Sequence, residues 1–166
     1  NTLVLFISDN GAESFGHNGI LNGDKISLLE GGHRVPAIAY WKGKIMPSIS
    51  NETVMTFDWM PTFLGLSQTP ISSKQQLDGI DISEHLLTGQ PLPERKLYWK
   101  YLKEKAMRQN QYKLWVNETD TMLFNLEKDI IELENIAFQY PEKVKRMSTD
   151  LELWNQEMSM ITQKTN

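Results

Sequence analysis

The sequence predicts an α/β chain that runs on into a small antiparallel sheet packed against a C-terminal helix. Three observations carry that expectation. Leu3-Val4-Leu5-Phe6-Ile7 is a continuous apolar run rather than an alternating one, the pattern of a strand covered on both faces, as in a parallel sheet between helices. The second half offers four short strand-like segments in close succession. After Pro141, Val144, Met147, Leu151, Trp154 and Met158 recur at spacings of 3, 4, 3 and 4, which makes one apolar helical stripe.

The elements follow in order. Behind the first strand, residues 10–33 carry six glycines, at 11, 16, 19, 23, 31 and 32. They show little helical or strand periodicity, and a loop this long inside a compact domain is usually functional or disordered. A second strand is expected at residues 35–41, with Pro36 near its start, where a missing N–H is tolerable. Asp58 is expected to cap a short helix through Met60-Pro61-Thr62-Phe63-Leu64, with Pro61 in the first turn and Gly65 near the end. Residues 67–95 read as surface connection, through Ser67-Gln68-Thr69-Pro70, Ser72-Ser73 and Gly89-Gln90-Pro91-Leu92-Pro93. The last stretch sets the expected domain boundary, dividing 1–92 from 93–166. Beyond it, residues 96–100, 105–108, 112–116 and 121–126 are the four strands, with a turn at Gln109-Asn110-Gln111.

Composition excludes several classes. The 166 residues are 40% hydrophobic and 23% charged, with a formal net charge of −4. There is no basic footprint for nucleic acid. No apolar run approaches the roughly 20 residues that span a bilayer. Without cysteine there is neither a disulfide framework nor a thiolate nucleophile.

The chemistry begins at Ser8-Asp9-Asn10-Gly11. In a doubly wound sheet, ligands collect beyond the carboxyl ends of the strands, where Asp9 and Asn10 stand. A carboxylate and an amide oxygen suit hard cations such as Ca²⁺ or Mg²⁺. The same four residues also all favour turns. Lys25, in Leu21-Asn22-Gly23-Asp24-Lys25, either holds an anionic group or is a solvated charge. In Glu30-Gly31-Gly32-His33-Arg34-Val35-Pro36 the paired glycines imply positive φ or close backbone approach. Glu30 and Arg34 there form either a buried ion pair or a surface one.

Taken together, these pieces resemble the back half of a formylglycine-dependent sulfatase, arylsulfatase-like and of the alkaline phosphatase superfamily. The resemblance continues through Asp58-Trp59-Met60-Pro61-Thr62, Leu77-Asp78-Gly79-Ile80-Asp81, Arg108, Tyr112-Lys113-Leu114 and Leu123-Phe124-Asn125-Leu126. It closes with Asp129, Glu132 and Asn135-Ile136-Ala137. It implies the C-terminal part of an alkaline-phosphatase-like α/β sandwich over residues 1–92, then a small α+β subdomain over 93–166.

The resemblance further implies a hydrolase of sulfuric esters that uses a formylglycine nucleophile and Ca²⁺ (or Mg²⁺). Asp9 and Asn10 match the family's late metal ligands, Lys25 its sulfate-contacting, catalytic lysine. Residues 30–36 match a scaffolding motif. His17 lies where substrate-recognition residues vary, so it is either a substrate contact or an exposed loop histidine. The chain departs from the family at Asn22-Gly23-Asp24-Lys25, often Arg-Gly-Gly-Lys, and at Ile26, where glycine is usual. His33 replaces a smaller or aliphatic residue. No C/S-x-P-S/A-x-R nucleophile motif occurs in these residues, so the chain is expected to be a C-terminal portion, inactive alone. The implied partner is a sulfated small molecule or sulfated carbohydrate, in a periplasmic, secreted or lysosome-like compartment. A phosphonate or phosphodiester hydrolase of the same superfamily, or an inactive structural fragment, are the alternatives.

Overall fold

The structure is a computed structural model that describes residues 1–13, 15–70, 72 and 75–164, without the side chains of 162–164. It divides into two compact units, Asn1–Phe6 with Ala37–Pro93, and Ile7–Pro36 with Glu94–Asn166.

In the first unit, the strand β1 (Val4–Ile7) pairs with β2 (Ala37–Tyr40) as a two-stranded sheet. The expectation of a strand buried on both faces is not met: Val4 is 52% and Phe6 65% exposed, with Leu5 and Ile7 half-buried between them. The described residues cover one side of β1 only, so the continuous apolar run behaves here as an alternating one.

A 3₁₀ turn (Thr56–Asp58) leads into a helix, Trp59–Leu66. Asp58 does not cap that helix with its side chain, contrary to expectation. Its carboxylate instead accepts the N–H of Met55 at 2.7 Å and of Ile80 at 3.1 Å. Thr62 completes the brace, donating to the Asp58 carbonyl at 2.6 Å and accepting from the Ile82 N–H at 3.1 Å. A Cβ on Gly79 would lie 2.2 Å from the Phe57 carbonyl oxygen, so the backbone approach requires glycine. The Asp-x-x-Pro-Thr and Leu-Asp-Gly-Ile-Asp motifs are therefore one buried hydrogen-bonded joint. Within the expected surface connection the structure adds a helix at Ser83–Thr88, closed by Gly89 in the left-handed region at φ 78. Ser73 of that connection lies outside the described residues.

The second unit holds the four-stranded antiparallel sheet, β3 (Lys96–Tyr101), β4 (Glu104–Gln109), β5 (Tyr112–Val116) and β6 (Thr121–Asn125), in sequential order. Register fixes its two faces. Tyr98 pairs with Met107, Met107 with Leu114, and Leu114 with Leu123. This row meets Ile136, Met147 and Leu151 in the core, the last two from the long helix Pro141–Lys164. Tyr98 stacks on Trp154 of that helix at 5.1 Å. The opposite face carries Trp99 paired with Ala106, and beside them the row Arg108, Lys113 and Phe124. That face is also covered, because a helical turn at Glu30–His33, inside the expected loop, packs its side chains there.

With the helices numbered in chain order, Glu30–His33 is α1, Trp59–Leu66 α2, Ser83–Thr88 α3 and Pro141–Lys164 α4.

Candidate functional site

Asp9 and Asn10 follow β1 directly. Asp9 is exposed, and its Oδ1 accepts the Asn10 N–H at 3.0 Å. The segment behind them is cross-braced rather than loose. The Gly11 N–H donates to the Gly32 carbonyl at 2.9 Å, and the Gly31 N–H to that of Asn22 at 2.7 Å. A Cβ on Gly11 would lie 1.8 Å from the Gly31 carbonyl oxygen, and one on Gly32 2.0 Å from that of Ser27. Close backbone approach, not positive φ, is what the paired glycines serve.

Asn18 is the brace that sequence reasoning missed. Its Oδ1 accepts the Ala12 N–H at 2.7 Å and its Nδ2 donates to the Gly23 carbonyl at 3.0 Å. The Lys25 N–H then donates to the Ala12 carbonyl at 3.0 Å. Lys25 is thus tied by its backbone to the residue two places after Asn10. Its Nζ stands 3.6 Å from a carboxylate oxygen of Glu13, both side chains being largely exposed, so solvent screens that pair. His17 is exposed, and its Nδ1 accepts the Gly19 N–H at 2.8 Å. That bond leaves the proton on Nε2.

The donor set at Asp9 and Asn10 fits a hard divalent cation in kind but not in number. Ca²⁺ takes about six to eight oxygen ligands, and among the described residues no group of three or more acidic, histidine or cysteine side chains is gathered for a metal. Two oxygen donors alone do not complete such a coordination shell.

What the motifs do build in this chain is a buried ionic cluster. Glu30, Lys113 and Glu132 are 1%, 0% and 4% exposed. Lys113 Nζ lies 2.9 Å from Glu30 Oε1 and 2.8 Å from Glu132 Oε1. Glu132 Oε2 also accepts the Glu30 backbone N–H at 2.5 Å. Arg34 and Arg108 reach the other Glu30 oxygen at 3.2 and 3.6 Å, so Glu30 faces cations on several sides and Glu132 shares Lys113 with it. Glu30 and Arg34 are therefore paired, with only the carboxylate buried.

Protonation follows from this packing. Burial pushes the Glu30 carboxyl upward, but Lys113, His33 and Arg108 outweigh it and hold it below the ordinary value. Glu132 is raised, burial there exceeding the pull of Lys113 and of the Glu30 N–H. His33 is pushed down to about 4 by burial and by the Lys113 charge. His33 Nε2 lies 3.2 Å from both Lys113 Nζ and the Leu28 carbonyl oxygen, while its ring stacks on Trp99 at 4.7 Å. The Asp-x-x-Glu-x-x-Asn motif delivers Glu132 to this cluster. Asp129 accepts the Glu134 N–H at 2.8 Å, Glu132 takes φ 55, and Asn135 Oδ1 receives the N–H groups of Leu123 and Ala137.

Comparison with known proteins agrees with this architecture. The family model for Sulfatase matches residues 1–69. An arylsulfatase of Hemicentrotus pulcherrimus is 38% identical over 120 residues, 68% of this chain and 22% of the relative. A Bacteroides thetaiotaomicron structure from work on glycosaminoglycan metabolism superposes with a TM-score of 0.83 at 24% identity, over 94% of this chain and 39% of that one. Ps i-CgsB, solved with k-i-k-neocarrahexaose, gives 0.80 at 30% identity over 93% and 36%. The chain belongs to the sulfatase family and has its alkaline-phosphatase-like fold. It spans about a fifth to two-fifths of the length of these relatives.

Proposed function

We propose that these residues form the late part of a sulfuric ester hydrolase that cleaves a sulfated carbohydrate or sulfated small molecule. The observation that carries this reading is the braced segment from Asp9 to Gly32. It holds two oxygen donors and one lysine on a single hydrogen-bonded frame, Lys25 being fastened to Ala12. Asp9 and Asn10 offer oxygens to a divalent cation, and Lys25 presents an ammonium to the sulfate oxygens. The cation, when bound, withdraws negative charge from those oxygens as the ester bond breaks. A lysine set by its backbone needs little reorganisation to meet that charge. In this reading the formylglycine nucleophile comes from outside these residues. His17 stands in the same segment as a substrate contact, its Nε2–H available to a sugar oxygen.

The saccharide part of the reading is supported by the likeness to Ps i-CgsB, solved with k-i-k-neocarrahexaose. The test is turnover of an aryl sulfate and the matching aryl phosphate by the full-length protein and its Lys25→Ala variant. The expected result is preference for the sulfate ester and a loss on the order of 10²–10³ in rate in the variant. Preference for phosphate, or an unaffected variant, refutes it.

A further inference from the structure

On the α4 side of the sheet, the β4–β5 turn and the first turns of α4 border a surface cleft of about 340 Å³. Its wall includes Glu94, Gln109, Gln111, Tyr112, Lys143 and Arg146. The volume enters the range of small-ligand sites, about 300–1,000 Å³, but the chemistry is more telling. Lys143 and Arg146 stand three residues apart on one helix face. The acids further along α4 are engaged elsewhere, Asp150 with Lys96 at 2.8 Å and Glu152 with Lys105 at 2.7 Å. Glu94, the carboxylate of the wall, accepts from Asn110 Nδ2 at 3.0 Å.

Lys143 is placed rather than loose, whereas Arg146 beside it is exposed. Lys143 Nζ sits 3.4 Å from the centroid of the Tyr112 ring, which fixes the ammonium at the cleft wall. Partial burial and the nearby Arg146 charge both disfavour its protonated form, a repulsion that an anion beside both groups relieves. Two cations against one carboxylate make the cleft positive on a chain whose net charge is −4, so it draws anions locally. Gln109 and Gln111 add amides that both donate and accept, as sugar hydroxyls require.

We propose that this cleft binds an anionic saccharide, its sulfate or carboxylate group against Lys143 and Arg146 and its hydroxyls on the glutamine amides. The saccharide half rests on the reading above; the anion half rests on the two cations.

Calorimetric titration of the full-length protein with a chondroitin sulfate tetrasaccharide tests it, with inorganic sulfate and an uncharged dextran oligosaccharide as comparisons. The expected affinity order is tetrasaccharide above inorganic sulfate, with no binding of the dextran. Lys143→Gln with Arg146→Gln should weaken the tetrasaccharide about a hundredfold, roughly tenfold per charged contact. Lys143→Arg with Arg146→Lys keeps both charges on the same exposed helix face and should retain binding to within a few-fold. Unchanged affinity in the glutamine pair overturns the proposal, and inorganic sulfate binding as tightly as the tetrasaccharide overturns its saccharide half. Aryl sulfate turnover by the parent separates the two readings: charge-dependent tetrasaccharide binding without turnover supports the cleft and removes the hydrolase.

Discussion

Lys113 is the residue on which the segment 7–36 and the C-terminal sheet close together. Removing one member of such a buried ionic group costs about 3–5 kcal/mol, because it leaves uncompensated charge, and here two glutamates would lose their shared cation. His33 makes the same joint sensitive to acid. Its folded pKa, about 4, lies below the ordinary value of 6.5, so the unfolded chain binds the proton more readily. Stability from this residue is then fully present above pH 6.5 and is lost as pH falls towards 4. Glu30, held low, loses its contribution below about 4.5 in the same direction, whereas the raised Glu132 works the opposite way. His33→Phe preserves a ring for Trp99 and removes the titrating nitrogen. Urea unfolding at pH 7 and pH 4.5 should show a drop on the order of 3 kcal/mol in the parent and a clearly smaller one in the variant. An equal drop in both would place the titration elsewhere. Ile26 supplies a second residue-scale test. It sits at φ 87, 52% exposed, in the left-handed region that costs a β-branched residue most. Ile26→Gly should relieve about 1–3 kcal/mol of strain, less about 1 kcal/mol of added chain entropy. The net expectation is a urea midpoint shifted upward.

At the scale of elements, α4 and its sheet depend on one apolar row. Leu151 is 2% exposed in the cluster with Met107, Leu114, Leu123 and Met147. Leu151→Ala should cost about 2–5 kcal/mol as a buried large-to-small change. Leu153, 60% exposed on the same helix, should tolerate alanine within about 0.5 kcal/mol, and chemical denaturation of the two variants compares them directly. These elements were legible because their periods are strong: the stripe from Val144 to Met158, and four strands broken by short turns. The elements that escaped are short or disguised. Ser83–Thr88 has no side-chain N-cap bond, and Glu30–His33 hides behind two glycines that read as a turn. The burial of Lys113 could not be read at all. A lysine between Tyr112 and Leu114 looks like a solvent-facing strand position, and its partners come from 83 and 19 residues away along the chain. The motif residues Glu30, Arg108, Lys113 and Glu132 were visible in the sequence, but their convergence was not. Pairing is a property of the fold, whereas periodicity is a property of the segment.

At the scale of the whole molecule, the proposed cation site can be tested by comparing the full-length protein with these 166 residues. Asp9 and Asn10 stand side by side after β1, one anionic oxygen donor and one neutral. If Asp9 is the ligand proposed above, Asp9→Ala in the full-length protein removes both a ligand and a charge from a cation that requires several of each, so Ca²⁺ binding and sulfate ester hydrolysis should fall together. On the same proposal, Asn10→Ala removes a neutral ligand and leaves the charge balance intact, so excess Ca²⁺ should restore its activity more fully. The 166-residue chain alone should bind Ca²⁺ poorly. With two protein donors, water must fill most of the coordination shell, and one exposed carboxylate gains little over the ion's own hydration. Titration calorimetry of Ca²⁺ into both proteins, alongside turnover of an aryl sulfate with and without a chelator, distinguishes the cases. Micromolar binding by the 166 residues alone would mean that they hold a complete site. A fully active Asp9→Ala enzyme would reduce Ser8-Asp9-Asn10-Gly11 to a turn after a strand.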